Sequence, residues 1–171
     1  MDLITQYDIP FLHPLAVHFP LVLLLLAAAS AGLYLLLGRA VWRQAGLVLF
    51  LLGTLGAWAA AETGHDLKNA VEGDPMVELV VERHESGAEW TLWMSALATF
   101  LFALVSAAQL RLPRRVPTAD AADAAAPAPT PRRTREPLWG RLLVLLPALA
   151  AAALVAWTAH LGGLMVWGVP R

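Results

Sequence analysis

Four runs of apolar residues, each long enough to cross a lipid bilayer, constrain this chain more than any other feature. At about 1.5 Å of rise per residue, a helix of about twenty residues spans a hydrocarbon core of about 30 Å. The first run extends from about Pro14 to Leu37 and stops at Gly38. The second covers about Val41 to Ala61 and is closed by Glu62, Thr63 and Gly64, and the third covers about Glu89 to Leu110. The fourth covers about Leu138 to Leu161, with Pro147 inside it. In lipid every backbone N–H and C=O must be satisfied within the segment or a closed barrel, so continuous apolar runs of this length read as helices. The hydrophobic share, 58% of 171 residues, exceeds the roughly 45–50% of a soluble domain. The expected fold is therefore all-α, an integral membrane antiparallel four-helix bundle.

The segments between the runs divide one membrane domain into three parts. Residues 1–110 hold the first three spans, 111–137 form a linker, and 138–171 hold the fourth span and the C-terminus. Between spans two and three, Asp74-Pro75 reads as a helix start, and Met76, Leu79 and Val80 recur at helical spacing. This predicts a short interfacial helix. The linker, rich in Arg, Pro, Ala and Thr, lacks the large apolar residues needed to offset ordering entropy and is expected to be disordered. Asp2 and Asp8 precede the first span and no Lys or Arg occurs before Arg39, so the basic leader of a cleaved signal peptide is missing and the first span is expected to be retained.

Charge sorts by side. With alternating spans, Arg39, Arg43, Arg111, Arg114, Arg115, Arg132, Arg133, Arg135 and Arg141 share one side, nine of the 12 basic residues, and Lys68, Arg83 and Arg171 take the other. The positive-inside rule makes the Arg-rich side cytoplasmic, with both termini extracytoplasmic. Trp90, Trp93, Trp157 and Trp167 then fall in an outer aromatic belt, with Trp42 and Trp139 on the inner side. The expected location is the bacterial inner membrane, with lipid as the surrounding partner. The basic linker fits attraction to anionic lipid rather than to nucleic acid.

That topology brings all 5 histidines to the outer face. His13 and His18 open span one, His65 follows span two, His84 precedes span three and His160 lies at the end of span four. Cysteine is absent, which excludes thiolate metal sites, iron–sulfur clusters and covalent c-type haem within the chain. A metal or haem here must use His, Met or carboxylate.

In His13-Pro14-Leu15-Ala16-Val17-His18-Phe19-Pro20, Pro14 suits a first helical position and leaves His13 as the capping residue. At 100° per residue, His13 and His18 project roughly 140° apart and reach one centre only if the chain bends at His13 or Pro20. Structural histidines, one capping and one bonded to a neighbouring helix, account for the pair equally well. Gly64 suits a left-handed helix end, and Asp66 suits an acceptor that orients a histidine. Glu85 and Glu89 favour a helix start electrostatically. Gly162 and Gly163 permit close approach of a backbone or a flat cofactor, and helix termination explains them as well. There is no Gly-rich phosphate loop and no HExxH motif.

HPLAVHFP, the Thr63-Gly64-x-Asp66 element, the His84 position and the HLGG-LMVWG terminus together resemble a family of small bacterial membrane proteins, domain of unknown function 2231. The resemblance spans nearly the whole chain except the linker. It implies four membrane helices. Related domains occur in chains with c-type cytochrome modules, which implies a redox role for His13, His18, His84 and His160, with a c-type cytochrome or another redox membrane subunit as partner. Many members carry a further histidine after the glycines; here Met165-Val166-Trp167-Gly168-Val169 has none.

Three functions follow as expectations. The first is a b-type haem electron-transfer protein with His18 and His160 as axial pair, because both sit inside helices, with His13 and His84 as supporting or alternative ligands and Gly162 and Gly163 beside the cofactor. The second is a Cu, Zn or Fe site built from His13, His18, His84 and His160 with Asp66 or Glu85. The third is a structural subunit whose histidines only satisfy buried polar groups. A binding or electron-transfer subunit fits better than an enzyme acting alone.

Overall fold

The computed structural model describes residues 12–71, 75–111 and 137–167. The chain forms helices α1 (His13–Ala16), α2 (His18–Leu37), α3 (Ala40–Val71), α4 (Pro75–Arg111) and α5 (Leu138–Trp167). Among the described residues there is no strand. Four stretches are long and apolar enough to cross a membrane: His13–Leu37, Ala40–His65, Glu78–Gln109 and Leu138–Met165.

The first stretch is interrupted at Val17 because Pro20 has no N–H to offer the Ala16 carbonyl and its ring crowds that carbonyl. Hydrogen bonds from Val17 N to His13 O and from Leu21 N to Val17 O carry the chain across the break. Pro14 lies in the first turn of α1, as its fixed φ favours. His13, however, is not the cap. Leu12 holds that position without a side-chain bond, and the His13 ring is used elsewhere. At the far end Gly38 takes φ 60°, where a side chain would be strained, and its N–H closes on Tyr34 O at 2.9 Å.

Three expected boundaries are corrected. Span two does not close at Gly64, because Gly64 is helical and α3 runs on to Val71; among the described residues Gly38 alone has positive φ. The short interfacial helix is not a separate element. Its residues form the first turns of a continuous α4, since nothing between Pro75 and the third span breaks the hydrogen-bond ladder. Gly87, the one glycine there, is buried against α5, so it serves packing. Gly162 and Gly163 likewise fail to end α5, which continues to Trp167. The linker expected to be disordered lies outside the described residues.

The bundle closes as a ring, α2 beside α3, α3 beside α4, α4 beside α5 and α5 beside α2. Its interior is small and its exterior large. Ala27, Ala28, Ala31, Ala57, Ala60, Ala98, Ala148 and Ala151 are buried, whereas Leu25, Leu26, Val48, Leu51, Leu104 and Leu146 are exposed. Lipid is as apolar as leucine, so burying leucine gains little and helices associate through small residues that let backbones approach. Gly53 receives Leu24, Gly56 receives the ring of Pro20, and Gly46 receives the ring of Phe102. Phe50 and Phe102, both fully buried with centroids 5.6 Å apart, fill the centre.

Candidate functional site

One end of the bundle collects the start of α1, the end of α3, the start of α4 and the end of α5 around a cavity of about 370 Å³. Its wall is mostly apolar, with Val17, Pro20, Leu21, Ala57 and Val155 among the lining residues. Three imidazoles line it, His13 and His84, both half-buried, and His65, which is exposed.

The His13 ring crosses from α1 to α3. Its Nδ1 lies 3.0 Å from Ala60 O and 3.1 Å from the Thr63 hydroxyl oxygen. A carbonyl only accepts, so Nδ1 carries the proton, and in the neutral ring Nε2 keeps its lone pair. Thr63 supports the arrangement by donating its own hydroxyl to the Ala59 or Ala60 carbonyl. The His84 ring crosses from α4 to α5, where Nδ1 donates to Thr158 O at 2.9 Å. The same logic leaves Nε2 of His84 as the lone-pair nitrogen. Helical carbonyls have a second lone pair beyond the one used in the ladder, and that spare capacity is what both rings take up.

Glycines make room for the rings. A Cβ on Gly64 would stand 2.8 Å from His13 Cε1, and one on Gly162 would stand 3.3 Å from His84 Cε1. A Cβ on Gly87 would meet the Thr158 hydroxyl at 2.6 Å, so α4 and α5 reach the spacing of the His84 bond only because Gly87 has no side chain. Thr91 seals the contact below, donating to Gly87 O at 2.7 Å with its oxygen 3.5 Å from that of Thr158.

The two rings stand 6.2 Å apart between centroids, with planes at 84°. Two imidazoles that hold one metal ion from opposite sides, each through a nitrogen at about 2 Å, place their ring centres roughly 6 Å apart. Metal-ligating histidines characteristically donate the other ring N–H to a carbonyl or carboxylate, which fixes the tautomer. His13 and His84 meet the second condition, and their edge-to-face spacing of 6.2 Å is compatible with the first. This donor set fits a haem iron or another metal bound by two imidazoles.

The remaining expected site residues fall differently. His18 is exposed and its Nδ1 turns back to Pro14 O on its own helix at 2.5 Å. His160 is exposed and lies against Trp157, ring centroids 5.8 Å apart. Neither lines the cavity, so the bundle does not bring His18 and His160 together as an axial pair. Lying inside a helix says nothing of which face a residue occupies, and that is where the expectation misled. Glu85 lines the cavity but is paired with Lys68 at 2.5 Å. The side chain of Asp66 lies outside the described residues. Gly163 has nothing within 4 Å of where its Cβ would be. Among the described residues no three of His, Asp or Glu gather as a metal-binding group, so the four-histidine arrangement does not form.

Thr63, Thr158, Gly87 and Lys68 were not singled out from the sequence as site residues. For Thr158 and Thr63 a signal existed: each is a hydroxyl residue within two positions of a histidine or glycine that was noted.

The model of a family described as "Predicted membrane protein (DUF2231)" matches residues 9–169. No curated protein and no solved structure gives a match.

Proposed function

We propose a function for a chain that belongs to the DUF2231 family of predicted membrane proteins: it binds b-type haem through His13 and His84 and passes electrons at the extracytoplasmic end of the bundle. The observation that carries this reading is the pair of pinned tautomers. Each imidazole donates Nδ1–H to a carbonyl of a neighbouring helix, and the two rings stand 6.2 Å apart. Edge-to-face ring packing gives a spacing of about 4.5–7 Å as well, so the pinned tautomers, and not the distance, carry the reading.

Haem held there by His13 and His84 would supply reversible one-electron transfer. The chain's own contribution is positional. Ala60 O and Thr158 O raise the basicity of the two Nε2 atoms and hold the rings. The Lys68–Glu85 ion pair, with Glu89 beside it on the lining, presents polar groups at the same end.

The orientation belongs to the same proposal. The Arg-rich ends and the linker lie in the cytoplasm and the histidine end faces out, in the bacterial inner membrane, by the positive-inside bias. A c-type cytochrome or another redox membrane subunit is the proposed electron partner, on the strength of the family resemblance. A reduced-minus-oxidised absorption spectrum of the purified protein, with metal analysis on the same sample, tests the reading. A b-type spectrum that survives His18→Ala and His160→Ala but is lost in His13→Ala and His84→Ala is the expected result. Stoichiometric copper, zinc or iron without a Soret band would replace haem by a two-histidine metal ion. Neither signal, in protein from its native membrane, would leave a structural subunit.

A further inference from the structure

The opposite end of the bundle holds a second polar layer, unrelated to the histidines. Leu24 packs on Gly53, so Tyr34, ten residues further along α2, comes level with Arg43, ten residues earlier on α3. Phe102 packs on Gly46, which puts Ser106 one turn further along α4 and level with Arg43 one turn earlier on α3. Arg141 of α5 completes the ring, its guanidinium carbon 5.8 Å from the centre of the Tyr34 ring and its NH1 donating to Leu35 O at 3.3 Å. One residue from each of the four long helices thus lies at one depth of the bundle.

We propose that this layer binds a phosphate group, that of an anionic phospholipid. Two guanidinium groups share the layer, and Arg43 is only 6% exposed. Guanidinium is the side chain whose fork matches phosphate oxygens. Three uncharged donors accompany them: the Tyr34 hydroxyl, the Trp42 indole N–H and the Ser106 hydroxyl are buried without a hydrogen-bond partner among the described residues, and Tyr34 is fully buried.

The backbone adds to the field. α3 and α5 both begin at this end, and neither has an acidic residue in its first turn, so two positive helix ends face the layer. The three unpartnered donors, set beside two guanidinium groups and two helix N-termini, call for one ligand chemistry, an oxyanion with several acceptor oxygens. The headgroup phosphate of a lipid at the bundle's rim supplies it at the right depth, and free phosphate is the other source.

The test uses the full chain in nanodiscs of phosphatidylcholine alone or mixed with phosphatidylglycerol, with retained lipid read by native mass spectrometry. The parent should retain phosphatidylglycerol in preference to phosphatidylcholine. Tyr34→Phe, which removes one hydroxyl and no packing, should weaken that retention about tenfold, and Arg43→Gln more. Should Arg43→Gln fail to fold, Tyr34→Phe decides. In lipid-free detergent, titration with inorganic phosphate separates the sources: heat with the same dependence on Tyr34, in place of lipid retention, assigns the site to free phosphate. No preference for the anionic lipid and no phosphate binding, or retention identical in parent and Tyr34→Phe, overturns the proposal.

Discussion

His13 and His84 face each other across the end of the bundle at 6.2 Å, each held by a hydrogen bond to a helix other than its own, α3 for His13 and α5 for His84. The pair therefore depends on all four spans. Any change that moves α3 or α5 moves a ring.

Gly64→Ala should be destabilising although alanine is the better helix former. The new methyl meets the His13 ring at 2.8 Å, an overpacking that costs about 1–3 kcal/mol against about 1 kcal/mol gained in propensity. Gly163→Ala has open space and should gain up to about 1 kcal/mol. Thermal unfolding of both variants in one detergent checks the contrast; equal shifts would mean that His13 does not depend on Gly64.

Gly87→Ala should separate α4 from α5, because its methyl would stand 2.6 Å from the Thr158 hydroxyl. Pairing it with Thr158→Ala removes the clashing atom and should recover about 1–2 kcal/mol, an interaction measurable as a double-mutant cycle. Additive losses would count against the contact.

The Lys68–Glu85 ion pair should matter little for stability. Both side chains are more than a third exposed, at 36% and 40%, and pairs of that exposure contribute about 1 kcal/mol or less. Lys68→Gln is expected to shift the unfolding midpoint only slightly, and a large loss would point to a structural role beyond the pair.

Phe102→Ala should cost about 3 kcal/mol, the low end of the range of about 3–5 kcal/mol for truncating a buried phenylalanine, because within lipid the loss is one of packing rather than of transfer from water. Chemical unfolding in mixed micelles measures it.

A reporter inserted in the segment 112–136 is expected to be cytoplasmic, and one fused at Arg171 extracytoplasmic. The reverse pattern would carry the histidine site to the cytoplasm and remove the proposed partner class.

Much of the fold was legible because the membrane imposes it. A stretch such as Leu138–Met165 has to be helical in lipid whatever it packs against, and Gly38 could be read as a terminator because no other residue is comfortable at positive φ. Glycines at 64, 162 and 163 invited the same reading and did not merit it. In a membrane bundle glycine also marks close approach, and period alone does not say which. The separation of His13 from His18 was legible as an angle of roughly 140°, but the choice between them was not. His18 faces outward and His13 inward because Pro20 seats against Gly56, which sets the rotation of the first span.

By itself the sequence determined the number of spans and the gathering of its histidines at one end, since both follow from where polar residues interrupt apolar runs that only a helix can carry through lipid. Which histidines meet was decided by the tertiary structure. The rotation of each helix is set by glycine and alanine contacts between helices distant in sequence, and those contacts turned His13 and His84 inward while leaving His18 and His160 outside.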